Sequence, residues 1–362
     1  MKKLKIRMIP LLLLFLIFFG VPAHSALATP QVQLDALMAF YNATNGEIPD
    51  YCNWGVGTDA STWSGITCDA SGNVISIELR RYSLTGSIPA DLANLTYLKF
   101  LRLNNNQLTG SIPVELGNLT NLLELELGSN QLTGNIPAAL GNLTKLNYLS
   151  LAWNQQLTGN IPAELGNLTN LYYLELNSNQ LTGNIPPELG NLTKLVDLSL
   201  SYNQLTGNIP TELGNLTKLH GLTLSSNQLT GNIPAELGNL IDLHWLYLHN
   251  NQLSGSIPIE LMNIKDLWII FLCGNRLYTT DPDLRAFLND VSPGWEKCQL
   301  PAIIGDVNND AVIDLADAII NLKLCSGMNL SENINIRADI NGDNKIGIEE
   351  AIHALQHTAG IR

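Results

Sequence analysis

Charge is scarce in this chain, and positive charge scarcer still. Charged residues make up 14% of its 362 positions, with 19 Lys or Arg against 32 Asp or Glu. The formal net charge of −13 repels a phosphate backbone, which argues against nucleic acid as a partner. It suits calcium, or a cationic or neutral partner, better. Catalytic signatures are missing as well: the sequence holds no HExxH, no GxSxG and no phosphate-cradling glycine loop. Long apolar runs are confined to the first residues. There, Lys2, Lys3, Lys5 and Arg7 precede an apolar stretch from Leu11 to Phe19, and Ala26-Leu27-Ala28 supplies small residues. Those three parts make a secretory signal over residues 1–28, since the run falls short of the roughly 20 residues that span a bilayer. Its removal would take the net charge to −17. With no later run of that kind, no stable membrane span is expected, and the chain reads as secreted. Cysteines number five. Cys52 and Cys68 precede the repeats described next, Cys273 and Cys298 follow them, and Cys325 is left over. An exported chain can keep disulfides, and local pairing fits this layout, although connectivity is not fixed by sequence.

What the chain has in abundance is a rhythm. Ile-Pro recurs at Ile88, Ile112, Ile136, Ile161, Ile185, Ile209, Ile233 and Ile257, every 24 residues except where the doubled Gln155-Gln156 makes it 25. Eight units close to LTGxIPxELGNLTxLxxLxLxxNQ fill residues 84–276, and a ninth strand, Val74 to Leu79, precedes them. A fixed period of this length means a solenoid, in which each coil buries its leucines only against its neighbours. Leu122, Leu125 and Leu127 represent the inward positions of LxxLxL. The Asn that follows each strand, such as Asn130, Asn179 or Asn203, is expected to bond the turn of the backbone, because a buried amide must be satisfied. Glycine permits the tight bend and proline ends any hydrogen-bond ladder beyond it.

These motifs resemble the leucine-rich repeats of the LxGxIP class, best known from plant receptors and polygalacturonase inhibitors, over residues 31–300. The resemblance implies an α/β solenoid: a right-handed horseshoe with a parallel β-sheet on its concave side and a second short sheet near Ile-Pro. It implies an N-terminal cap over residues 29–83, where Tyr51-Cys52-Asn53-Trp54 and Trp63-Ser64-Gly65-Ile66-Thr67-Cys68 look like the family's cysteine-paired cap. A C-terminal cap over residues 277–301 would carry a short helix from Pro282 to Asp290 and close through Cys298.

Alternation along a strand turns the third and fifth places of LxxLxL outward. The candidate ligand face then carries Phe100 and Arg102, Glu124 and Glu126, Tyr148, Tyr173 and Glu175, Asp197, and Trp245 and Tyr247, with Trp153, Tyr202 and His249 just beyond the strands. Nine strands about 4.8 Å apart give a surface about 40 Å long, enough for a folded protein or several sugar units. Aromatics among carboxylates suit both kinds of partner. Glu124, Glu126 and Glu175 could reach glycosidase spacing, roughly 5–9.5 Å, but nothing in the sequence forms a cleft to dry them, and no enzyme is expected. The Asn-Leu-Thr sequons at Asn94, Asn118, Asn142, Asn167, Asn191 and Asn215 read as packing consensus.

Composition shifts after Pro301. Asp306, Asn308, Asp310, Val312 through its carbonyl, Asp314 and Asp317 occupy places 1, 3, 5, 7, 9 and 12 of a calcium loop, and Asp339, Asn341, Asp343, Lys345 through its carbonyl, and Glu350 follow the same template 33 residues on. Ala311 at the turn position should weaken the first loop by about 1 kcal/mol. Helices are expected over Leu315 to Leu324 and Ile348 to Gln356. Duplicated loop-helix units of this kind resemble dockerin domains, which implies a small all-α Ca²⁺ module over residues 302–362 that docks to a cohesin-like receptor through Leu315, Ala316, Ile348 and Glu349. The chain as a whole reads as a secreted, bacterial, non-catalytic binding or adhesion protein. Alternatives are a component of polysaccharide-degrading machinery or an inhibitor of a secreted hydrolase.

Overall fold

The structure is a computed structural model, and it describes residues 28–44, 53–300, 319, 351–353 and 355–356. The signal segment, Cys52, Cys325 and every calcium-loop residue named above lie outside the described residues. Of the two tail helices expected, Ile319 and residues 351–353 and 355–356 are described, and these are helical.

Each coil opens on a three-residue strand, and the strands line up in one ten-stranded sheet. The first pair, Ile66–Cys68 with Val74–Glu78, is antiparallel. Every later pair is parallel, from Phe100–Arg102 to Ile269–Phe271. Leu174, Leu198, Leu222 and Leu246 are direct partners across four successive strands. That shared register follows from the constant period: equal coils put equal residues side by side, and the apolar face allows no slip. The inward leucines are sealed. Leu189, Leu192, Leu195, Leu198, Leu200 and Leu205 of one coil are all fully buried and belong to a single continuous core. Each such side chain contributes roughly 1.5–3 kcal/mol.

After the strand the chain turns through a left-handed residue, passes a short extended segment and bends at a glycine such as Gly183, φ 72°. The extended segments form the second sheet that the family resemblance implies. It is seen as the pairs Thr133–Asn135 with Gln156–Thr158 and Ser254–Ser256 with Arg276–Tyr278, and as single bridges between other coils, from Ser87 with Thr109 to Asn208 with Thr230. Proline then opens a 3₁₀ turn, as Pro186 does for Pro187–Asn191. A five-residue segment with one polar and one apolar side is too short for an α-helix to be worth nucleating.

The predicted asparagine ladder is present. Asn203 Nδ2 donates to the carbonyls of Leu176 and Leu200 at 3.0 and 3.1 Å, and its Oδ1 accepts the N–H of Leu181 at 3.0 Å. Asn227 and Asn251 repeat the pattern one and two coils later. The 25-residue coil is absorbed by a local exchange: the N–H of Asn154 takes the Oδ1 of Asn179, and the N–H of Leu157 turns back onto the carbonyl of Asn154.

Both ends are capped. Helix α1, Gln31–Ala43, buries Leu34, Leu37 and Phe40 and packs against the first 3₁₀ turn of the repeats, Ala90–Asn94. Gln33 Oε1 accepts the N–H of Val74 at 2.7 Å, which ties the helix to the sheet. At the other end, helix α2, Pro282–Val291, starts at an Asp281 cap whose Oδ1 accepts from Asp283 and Leu284 at 3.0 and 2.8 Å. Its last residue lies one beyond the sequence expectation. Gln299 finishes the ladder, with Oε1 on the N–H of Leu277 and Nε2 on the carbonyl of Leu272. Cys273 and Cys298 form the expected disulfide. Cys68 is half-buried with Thr29 Oγ1 at 3.8 Å, and its expected partner Cys52 lies outside the described residues. Burial pushes the pKa of Cys68 up.

Candidate functional site

The strand residues between the buried leucines stand on the outward face of the main sheet, as alternation requires. Near the N-terminal end they form an ion network. Arg102 pairs with Glu78 at 2.7 Å and with Glu124, and lies 3.5 Å from Glu126, which Arg80 also holds. The Arg102 guanidinium lies 4.7 Å over the Phe100 ring. Burial raises the Glu126 carboxyl and the two arginines pull it back. Arg80 was not among the sequence candidates. It stands two residues after Glu78, so the same period of two that selected the others places it on this face.

Beyond the network lies a hollow of about 370 Å³, walled by Glu126, Tyr148, Trp153, Glu175 and Asp197 and floored by Ser150, Asn177 and Ser199. Tyr148 donates its hydroxyl to Glu175 at 2.9 Å and packs against the Tyr173 ring. Burial, then the neighbouring Glu175 charge, pushes the Asp197 carboxyl up to about 6. Trp153 needs explanation. It occupies the left-handed turn that follows the strand, φ 59°, where other coils place Ser129, Ser178 or Ser226, and Tyr202 does the same at φ 56°. A bulky side chain there costs about 1–2 kcal/mol. Both rings are more than half exposed, so burial does not repay that strain.

Gly221, in the plainest stretch of the face, has a role that its sequence context hides. Any side chain at this position would collide with the Trp245 indole and the Asp197 carboxylate. Its absence lets both neighbours lean over the Gly221–Thr223 strand. Toward the C-terminal end the rings become continuous. Tyr247 and Phe271 are 4.9 Å apart, His244 and Trp268 4.3 Å, and His220 and His244 4.9 Å. Trp268 is 60% exposed, and it was absent from the candidate set because it fills the second place of its repeat.

Among the described residues no cluster of three or more His, Cys, Asp or Glu is arranged to hold a metal. No described helix is long and apolar enough to cross a membrane.

Two family models match the array: a leucine-rich repeat region over residues 77–209, and single leucine-rich repeats over 218–240 and 242–264. Among solved structures, the chain is similar to a plant ice-binding protein, 31% identical with a TM-score of 0.59, covering 73% of this chain and 94% of that one. The chain belongs to the leucine-rich-repeat proteins. Its relatives in this family include the Arabidopsis receptor kinase HAESA ectodomain, solved in complex with an IDA peptide hormone ligand extended at its N-terminus. That structure is 36% identical with a TM-score of 0.58, covering 67% of this chain and 42% of that one. Among curated proteins, the probable inactive leucine-rich-repeat receptor kinase XIAO of Oryza sativa subsp. japonica is 41% identical over 92 residues, 24% of this chain and 8% of its own length. The chain thus spans a small part of its curated relatives. What its repeats match are leucine-rich-repeat ectodomains of plant receptor kinases and a plant ice-binding protein.

Proposed function

We propose that this leucine-rich-repeat protein is a non-catalytic recognition protein whose main-sheet face binds a peptide or a protein segment. The observation that carries the reading is Trp153. A large ring held in a left-handed turn, exposed at the rim of a carboxylate-lined hollow, has no packing reason to be there, and such strain concentrates at binding sites. The peptide-bound HAESA ectodomain supports the choice of ligand class. Peptides selected on the wild-type protein from a random display library test it. Trp153→Ser and Trp245→Ala should abolish their binding, and unchanged binding by both variants contradicts the reading.

The carboxy-terminal calcium loops enter the same proposal as a docking device. Ca²⁺ bound by the 306–317 and 339–350 loops would fold the tail and present it to a cohesin-like receptor on a secreted or cell-surface scaffold. Titrating the full chain with Ca²⁺ alone, followed by chelator, checks this step. A tail whose helicity ignores both would remove it.

A second reading is favoured by the flank of the solenoid, where the second sheet presents an uncharged face from Gln107 to Ser256, ending at Arg276. The similarity to a plant ice-binding protein over nearly that protein's whole length supports ice as a ligand for this chain too. Retention of the purified protein in slowly growing ice is the measurement.

A further inference from the structure

We propose that the ice-binding site is the flank built from the Gln, Thr and Asn columns of the repeats, a proposal that rests on the second reading above. In five coils, starting at Gln131, Gln156, Gln180, Gln204 and Gln228, the segment Gln-Leu-Thr-Gly-Asn runs extended from the asparagine ladder to Ile-Pro. Its leucine is buried, so the alternate residues face out: Gln180, Thr182 and Asn184 in one coil, Gln204, Thr206 and Asn208 in the next. The Gln and Asn side chains are exposed and the Thr side chains half-exposed. Parallel bridges fix the register between coils, with Asn160 opposite Thr182, Asn184 opposite Thr206 and Asn208 opposite Thr230. The threonine hydroxyls lie 3.4 Å from those asparagine Oδ1 atoms, long contacts that leave hydroxyl and amide open to water.

Three features of this flank fit a crystalline water surface. Its repeats are about 4.8 Å from coil to coil and about 6.7 Å between alternate residues of a strand, both similar to oxygen spacings in hexagonal ice. Its backbone is held coil to coil by the ladder and by bridges, so the array is rigid before it meets a ligand. No charged residue stands in any of the three columns from Gln107 to Ser256, so no ion on the flank has to lose its own water shell. The main-sheet face and the 3₁₀ ridge fail that last criterion, since they carry Arg102, Glu124 and Glu126, and Glu188, Glu212 and Glu236. A crystalline polysaccharide would share the need for regularity, but sugar rings are gripped by stacking on aromatics. The columns contain none.

The test is capture of the full-length protein into slowly growing ice, together with thermal hysteresis. Four proteins are compared: wild type, Thr182→Tyr/Thr206→Tyr, Gln180→Lys/Gln204→Lys, and Glu188→Tyr as a control on the 3₁₀ ridge. Circular dichroism reports folding, and the glutamine variant, whose side chains are exposed, keeps the test available if the threonine variant fails to fold. The expected result is capture of wild type and of the ridge control, with both flank variants falling to the level of a non-binding protein. Capture of all four overturns the flank assignment and leaves the ice reading standing. No capture of wild type overturns both. Binding of wild type to microcrystalline cellulose without ice capture also overturns the proposal and reassigns the flank to a glycan.

Discussion

Replacing Asn203 with leucine keeps the branching and heavy-atom count of the side chain while removing its polar atoms, so the result reads the ladder. Three bonds of 3.0–3.1 Å are lost, together with a longer contact of 3.4 Å to the Ser201 carbonyl. The carbonyls of Leu176 and Leu200 each retain a second amide donor, Asn179 and Asn227 respectively. Those two losses forfeit an ordinary net hydrogen bond apiece, roughly 0.5–1.5 kcal/mol. The N–H of Leu181 has no substitute acceptor: Asn203 Oδ1 was its partner, and the site is buried. An orphaned buried donor costs about 1–3 kcal/mol. The sum is a destabilisation of roughly 2–6 kcal/mol, read from the shift in urea midpoint at constant slope. Amide exchange of Leu181 should lose its protection before that of Leu198, which sits in the strand. A loss under about 0.5 kcal/mol, within the range of an ordinary surface substitution, would refute the reasoning, because the ladder would then be decoration on a core that stands without it.

Other outcomes follow from the face. Asp197, raised to about 6, holds its proton more tightly folded than unfolded. Its contribution to stability is therefore full below the unfolded value near 4 and lost as pH rises through about 6, and Asp197→Asn should remove that component of the slope in a series of thermal melts. Trp153→Asn places a residue that tolerates the left-handed turn, so it should gain about 1 kcal/mol of stability in denaturant titration while losing the selected peptides. Gly221→Val should displace the Trp245 indole, seen as a shift in its fluorescence, and weaken ligand binding without disturbing the core. Asp310→Ala with Asp343→Ala should abolish any calcium-induced gain of helicity in the full chain, whereas the repeats should melt unchanged.

Most of the array was legible because each repeat states its constraints eight times. The Ile-Pro period located every coil, and the LxxLxL alternation divided inward from outward residues. The asparagine role followed from the cost of burying an amide. The ends were harder, since a cap occurs once and has no internal comparison. Gln299 completes the ladder from outside any repeat, and Gln33 does similar work from a helix, and neither carries a local signal. The first hairpin strand, Ile66–Cys68, was hidden for the same reason. On the face, side-chain direction could be read, but consequences of absence could not. Gly221 looked bland, and its importance lies in the space it leaves for Trp245 and Asp197. Trp153 and Tyr202 were visible as aromatics, while their strain required the backbone torsions of the turn.

Hydrogen–deuterium exchange on the protein bound to a selected peptide tests the central claim most directly. The account predicts new protection on the main-sheet strands from Glu124–Glu126 through Trp245–Tyr247, with the 3₁₀ turns from Val114–Asn118 to Ala235–Asn239 unchanged. Protection that appeared on those turns and spared the strands would contradict it.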